Sequence, residues 1–130
     1  MKTRAYLKVT SDTLLSEQMV EVLCIVPDRT WKTGDIRPRT RLRIKEIDNG
    51  LIIESGLLQT DPLEKHLESL TAKLEPLRSA FPNLSKECST ELVIVYYSDS
   101  CNPDFCFDNS FIKFLATINA KLWIDCYVLD

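Results

Sequence analysis

The sequence predicts an α+β domain with its helices packed on one mostly antiparallel β-sheet. Three observations carry that prediction. Segments near both ends alternate apolar and polar residues at period two, as half-buried strands do. Between them, leucines from Leu63 to Leu77 recur at alternating four- and three-residue steps, the spacing of one helix face. The chain has 130 residues, 45% of them hydrophobic and 27% charged. Such a chain can bury a single core of ordinary size, and it is too apolar to be disordered. No Gly/Ser-rich linker, repeat or low-complexity run divides it. Residues 1–130 therefore read as one α+β domain.

The elements follow in the order strand, helix, hairpin, helix, strand, helix, strand. Tyr6, Leu7 and Val9 lie in the first strand. Ser11 and Asp12 offer a cap to a helix carrying Leu14, Leu15, Met19, Val22 and Leu23, and Pro27 closes that region. Asp48-Asn49-Gly50 has the chemistry of a tight two-residue turn. It predicts a hairpin joining a strand over Arg41 to Ile47 with one over Leu51 to Ser55. For the long helix, Asp61 is the expected cap, Pro62 the first helical position, and Glu64 the residue that reaches back. Pro76 ends the leucine ladder before it can extend into a coiled coil. Leu92-Val93-Ile94-Val95-Tyr96-Tyr97 is apolar on both faces, as a central strand should be. A short helix after Asp108 and Asn109 turns Phe111, Phe114, Leu115 and Ile118 inward. The last strand alternates Leu122, Ile124, Cys126 and Val128 with Trp123, Asp125 and Tyr127.

Composition removes several kinds of chemistry from consideration. The first ten residues lack the apolar core of a secretory signal, and no window approaches eighteen uninterrupted apolar residues. The expectation is a cytoplasmic protein without membrane contact. Five cysteines, Cys24, Cys88, Cys101, Cys106 and Cys126, form an odd, scattered set that reads as reduced thiols. Cys101 and Cys106 are separated by four residues and no second pair follows, so the spacing does not make a zinc knuckle. Cys24 and Cys126 sit in apolar runs and are expected in the core. The single histidine, His66, has no nearby nucleophile or orienting partner in sequence and reads as a solvated or boundary helix residue. Glycines occur only at Gly34, Gly50 and Gly56, which excludes a glycine-rich phosphate loop. Asp99, Asp104 and Asp108 surround an oxygen-rich loop that lacks the ligand order, central glycine and closing glutamate of an EF-hand. No catalytic, metal-ligating or cofactor-binding set emerges, and no cofactor is expected.

Charge distribution is the strongest signal. The chain carries a formal net charge of −3. From Arg29 to Lys45, however, seven basic residues face Asp35 alone, which leaves −9 for the remaining 113 residues. Arg37, Arg39, Arg41, Arg43 and Lys45 fall on odd positions, so an extended segment would place all five on one face. From Glu87 onward, seven acids oppose Lys113 and Lys121. Three readings follow. The basic ladder could grip phosphate, although it lacks interleaved aromatics to stack on bases. It could instead be a charged strand face that blocks edge-to-edge pairing. The acidic third could cover a basic protein, with charge complementarity speeding association.

Ile25-Val26-Pro27-Asp28-Arg29-Thr30-Trp31-Lys32-Thr33-Gly34-Asp35 carries a resemblance. With its Ile-x-Pro turn, Trp-x-x-Gly-Asp segment, leucine-rich helix and closing Asp-x-Tyr strand, the chain resembles the bacterial domain-of-unknown-function family numbered forty-two seventy-nine. The matching positions are Ile25, Pro27, Trp31, Gly34, Asp35, Leu63, Leu67, Leu70, Leu74, Pro76, Asp125 and Tyr127. Family members often carry an aromatic at the start of the second hairpin strand, where this chain has Gly50-Leu51. The resemblance implies a compact α+β domain without an established reaction. It also implies a place beside bacterial toxin genes.

The functional expectation is a non-enzymatic protein-binding domain: a cytoplasmic immunity protein of bacterial competition or contact-dependent growth inhibition. It would neutralise a basic, nuclease-type toxin by occlusion. Asp99, Asp104 and Asp108 are the candidate contact residues. Trp31 joins them as an amphipathic anchor, with core packing the other reading of its indole. The alternative is an RNA- or anion-binding module using Arg37, Arg39, Arg41, Arg43 and Lys45. Nucleic acid is the less favoured partner. A third reading, general acid/base chemistry by distant carboxylates, requires a pocket that brings them together.

Overall fold

The computed structural model describes residues 2–38, 41–84, 86–99 and 104–128. Strand β1 (Lys2–Ser11) is followed by α1 (Ser16–Leu23), β2 (Arg29–Trp31), β3 (Asn49–Glu54), α2 (Leu63–Leu74), β4 (Ser89–Ser98), α3 (Asn109–Thr117) and β5 (Ala120–Val128). Two short 3-10 turns, Glu75–Leu77 and Phe81–Asn83, link α2 to β4. The five strands form one sheet in the order β2-β3-β1-β4-β5. Every neighbouring pair is antiparallel except β4 and β5, which run parallel. A parallel pair needs a crossover connection, and α3 supplies it. The domain is thus α+β with a mostly antiparallel sheet, as the sequence predicts.

Period two in β1 sorts the sheet into two faces. Ala5, Leu7 and Val9 join one core cluster with Met19 and Leu23 of α1, Leu70 and Leu74 of α2, and Phe111, Phe114 and Leu115 of α3. All three helices therefore cover the same face. The opposite face carries Arg4, Tyr6 and Lys8 of β1, registered against Glu54 and Ile52 of β3 and against Val95, Val93 and Glu91 of β4. No helix among the described residues is long and apolar enough to cross a membrane.

The hairpin differs from the expected one. Asn49 and Gly50 lie inside β3, and Gly50 is absent from the positive-φ positions, which include Gly34 and Gly56. Asn49 is buried and works through its side chain. Its Oδ1 accepts the Thr33 amide at 2.9 Å, and its Nδ2 donates to the Leu14 carbonyl at 3.1 Å. Gly50 sits opposite Trp31 across the β2–β3 pair, where the missing side chain leaves room for the indole. The real hairpin is β2–β3, joined by a long excursion over residues 32–48. No strand forms over Arg41 to Ile47. An isolated bridge joins Ile36 to Lys45, and the Arg37 amide donates to the Ile44 carbonyl at 2.8 Å. The chain reverses between them, with Arg43 at φ 48°.

Both predicted helix caps shift as well. The Ser11 hydroxyl accepts the amides of Thr13 and Leu14 and so closes a turn, and α1 starts only at Ser16. Asp61 takes the Leu58 amide at 3.0 Å, leaving Pro62 as the N-cap of α2. Asp108 does cap α3, accepting the Phe111 amide at 2.9 Å.

Candidate functional site

A groove of about 640 Å³ runs between α2 and α3. The α2 wall presents Glu64 and Glu68 around Leu67, the solvent edge of the leucine stripe, and the 3-10 turn that follows adds Glu75. The other wall presents Phe107, Phe111 and Phe114 with Asp108. Four carboxylates thus line it against one cation, Arg78. That guanidinium is held by Glu75 at 3.1 Å and lies 5.9 Å from the Phe114 ring. The walls are aromatic and the rim is acidic.

Local sequence builds the aromatic wall. Phe105 and Phe107 alternate with Asp104, Cys106 and Asp108, so an extended chain sends both rings to one side. Their rings stack 6.5 Å apart. Phe107 stacks on Phe111 at 5.6 Å, and Phe105 meets Tyr96 edge-on at 5.2 Å. Asp108 then starts α3 and fixes where Phe111 and Phe114 point. Its carboxylate is held below the ordinary range, first by the Phe111 amide and then by the Ser110 hydroxyl. Sequence reasoning missed Phe105 and Phe107, although their two-residue spacing was the available signal.

Of the candidate contact residues, Asp108 alone lines this groove. Asp99 is exposed where β4 ends and Asp104 is exposed ahead of Phe105; neither lines the groove. Trp31 lies on the helix-free face of the sheet and is only 4% exposed. The Arg29 guanidinium stands 4.8 Å from its ring centroid, the Lys8 ammonium 5.9 Å, and the indole N–H donates to Asp48 at 3.2 Å. Trp31 and Asp108 therefore do not share a surface.

The basic segment does not form a five-cation ladder. Arg37 and Arg29 both pair with the buried carboxylate of Glu46, at 3.4 and 3.0 Å. Arg41, Arg43 and Lys45 are exposed around the tip of the excursion, and Arg39 lies outside the described residues. Glu46 follows the basic run by one residue, so counting charges up to Lys45 hides its role.

His66 is buried, at 1% exposure, and not solvated. Its Nε2 donates to the Leu58 carbonyl at 3.0 Å, which can only accept, and its Nδ1 faces the Ser55 hydroxyl at 2.6 Å. Ser69 and Lys73, on the same face of α2, donate to the carbonyls of Ser55 and Glu54. The Ser–His distance resembles that of a nucleophile and its base. Both side chains are buried, however, and neither lines the groove. The cluster ties the β3–α2 connection to the helix.

The cysteines are also placed differently from expectation. Cys24 is exposed at the end of α1, in the left-handed conformation that stops the helix, with φ 53°. Cys126 is exposed because only the Ala120–Leu122 end of β5 packs against the core. Cys106 is exposed, Cys88 is half-buried, and Cys101 lies outside the described residues along with Asn102 and Pro103. Among the described residues, no three His, Cys, Asp or Glu side chains are grouped to hold a metal ion.

A family model described as a domain of unknown function, DUF4279, matches residues 1–129. No curated protein and no solved structure matches the chain.

Proposed function

The chain belongs to the DUF4279 family, and from its groove we propose that it is a non-enzymatic protein-binding domain: a cytoplasmic immunity protein that occludes a basic, nuclease-type toxin. The observation that carries this reading is the pairing of an acidic rim with an aromatic wall between α2 and α3. A nuclease binds phosphates with a cationic cleft. Glu64, Glu68 and Glu75 supply the matching field, which raises the encounter rate. Phe107, half-buried beside the core rings of Phe111 and Phe114, supplies apolar surface of the kind that anchors an interface. Blocking the cleft requires no chemistry from the immunity protein.

The polyanion-binding alternative has less to stand on. Arg37, one of the cations that motivate it, is tied to Glu46, and among the described residues Arg41, Arg43 and Lys45 surround a tip without forming a continuous cationic face. The test is to sequence the genes flanking this one and co-express the chain with any toxin domain found there, scoring growth rescue and a purified complex. Rescue and a complex that both weaken on charge reversal at Glu64 and Glu68 are expected. Absence of complex and of rescue overturns the proposal.

A further inference from the structure

Strand β5 is an edge strand of nine residues, and among the described residues nothing pairs with its outer side. Apolar side chains are exposed on both of its faces. Trp123 and Tyr127 are 57% and 50% exposed on the helix-free face, and Val128 is 47% exposed on the other. The strand contains no proline or glycine, and its only charges are Lys121 and Asp125, of opposite sign. Natural edges of this length are normally blunted by bulges, prolines or like charges. The other edge of this sheet, β2, has only three residues.

We propose that β5 pairs antiparallel with β5 of a second copy of this chain, making a continuous ten-stranded sheet across a two-fold axis at Trp123. Side chains directly opposite in an antiparallel pair share a face, so only registers that keep odd residues opposite odd residues preserve both faces. Centred on Trp123, the pairing sets Lys121 against Asp125 of the partner subunit and Leu122 against the partner's Ile124. The two tryptophans meet at the axis. Both charges are matched, once on each side of the dyad. Centring on Ile124 would leave Lys121 opposite the partner's Tyr127 and Trp123 opposite the partner's Asp125. Centring on Asp125 would set two carboxylates face to face. The interface is isologous, as a closed dimer requires. In each chain the indole N–H of Trp123 donates to Asp125 at 3.0 Å, which holds the ring along the strand where its mate would meet it.

Analytical ultracentrifugation of the full chain across a concentration series tests the proposal, with a dimer expected. Lys121→Asp should give monomer, because it places carboxylates opposite each other twice per dimer. Asp125→Lys should do the same, and the double exchange K121D/D125K should restore the dimer. The same register sets Ala120 opposite Cys126 of the partner subunit. Opposed α-carbons in such a pair stand about 4.5–5.5 Å apart, within disulfide range. Oxidised A120C should therefore yield a covalent dimer that peptide mapping assigns to the introduced thiol and Cys126. Wild-type protein that remains monomeric overturns the proposal. So does a dimer that persists in K121D, a double exchange that fails to restore association, or an A120C protein that forms no such cross-link.

Discussion

The indole of Trp31 occupies the space where a side chain on Gly50 would stand. A Cβ built on Gly50 would collide with Trp31 Cζ2. Cross-strand register places the two residues opposite each other, and Arg29 and Lys8 close over the ring. Gly50→Ala should therefore destabilise by about 1–3 kcal/mol through overpacking. Trp31→Ala should cost about 3–5 kcal/mol. The two losses should not add: once the indole is gone, an alanine at position 50 meets little resistance. Denaturant unfolding of both single variants and the double variant measures the coupling, and simple additivity would contradict the contact.

The Ser55–His66 pair makes a second, separable prediction. Because the Leu58 carbonyl takes the Nε2 proton, the ring accepts from Ser55 at Nδ1. Imidazole nitrogen shifts in NMR spectra should show the Nε2–H tautomer. Ser55→Ala leaves a buried acceptor without its donor and should cost about 1–3 kcal/mol. An Nδ1–H tautomer would contradict the assigned geometry.

How much of this was legible depended on whether a residue's role was local. The leucine stripe of α2 and the alternation in β1 follow from period alone, and the structure keeps both. Asp108 as a cap was readable for the same reason, since its partner Phe111 is three residues away. Asn49-Gly50 was misread because turn chemistry is a local statement, while their roles are set by Leu14, Trp31 and Thr33, distant in sequence. His66 was misread because its partner Ser55 belongs to the preceding loop. Asp61 offered a cap, but a nearer turn amide took it. The groove shares this character. Its carboxylates come from two helices with a strand and a long connection between them, so charge counting could sense the acidity without placing it.

Asp108 ties helix α3 to pH. Its folded-state pKa is depressed below 3.8, the ordinary value, by the Phe111 amide and then the Ser110 hydroxyl. A depressed carboxylate pKa stabilises the fold fully above the unfolded-state value. That contribution is lost as pH falls through the lower folded value. Asp108→Ala should unfold at lower denaturant than wild type at neutral pH, and the gap should narrow in acid below pH 3.8 as the charged part of the cap is lost. Asp108→Asn keeps a cap acceptor without a charge, so it should sit between them. Parallel curves at every pH would sink this account.

Thiol reactivity should follow burial. Burial pushes the Cys88 thiol above its ordinary value, and the neighbouring Ser11 hydroxyl only partly offsets this. Cys24, Cys106 and Cys126 are exposed. Timed alkylation at mildly alkaline pH, mapped by peptide mass, should modify those three before Cys88. Earlier modification of Cys88 would mean that the β4 start opens readily.

The groove makes the most direct functional prediction, because its charges and its rings should affect different rate constants. Rim carboxylates act at a distance, so Glu64→Lys with Glu68→Lys should slow association with a basic toxin domain by about tenfold or more at low salt. Salt should erase most of that difference, since exposed charges are screened within about 10 Å at 0.1 M. Phe107→Ala removes contact area after docking, so it should mainly speed dissociation, at about 2 kcal/mol if the ring is an anchor. Asp108 is unsuitable for this comparison, because reversing it would also uncap α3. Surface-binding kinetics at two salt concentrations separate the effects. Unchanged rate constants in both variants would move the interface away from the α2–α3 groove.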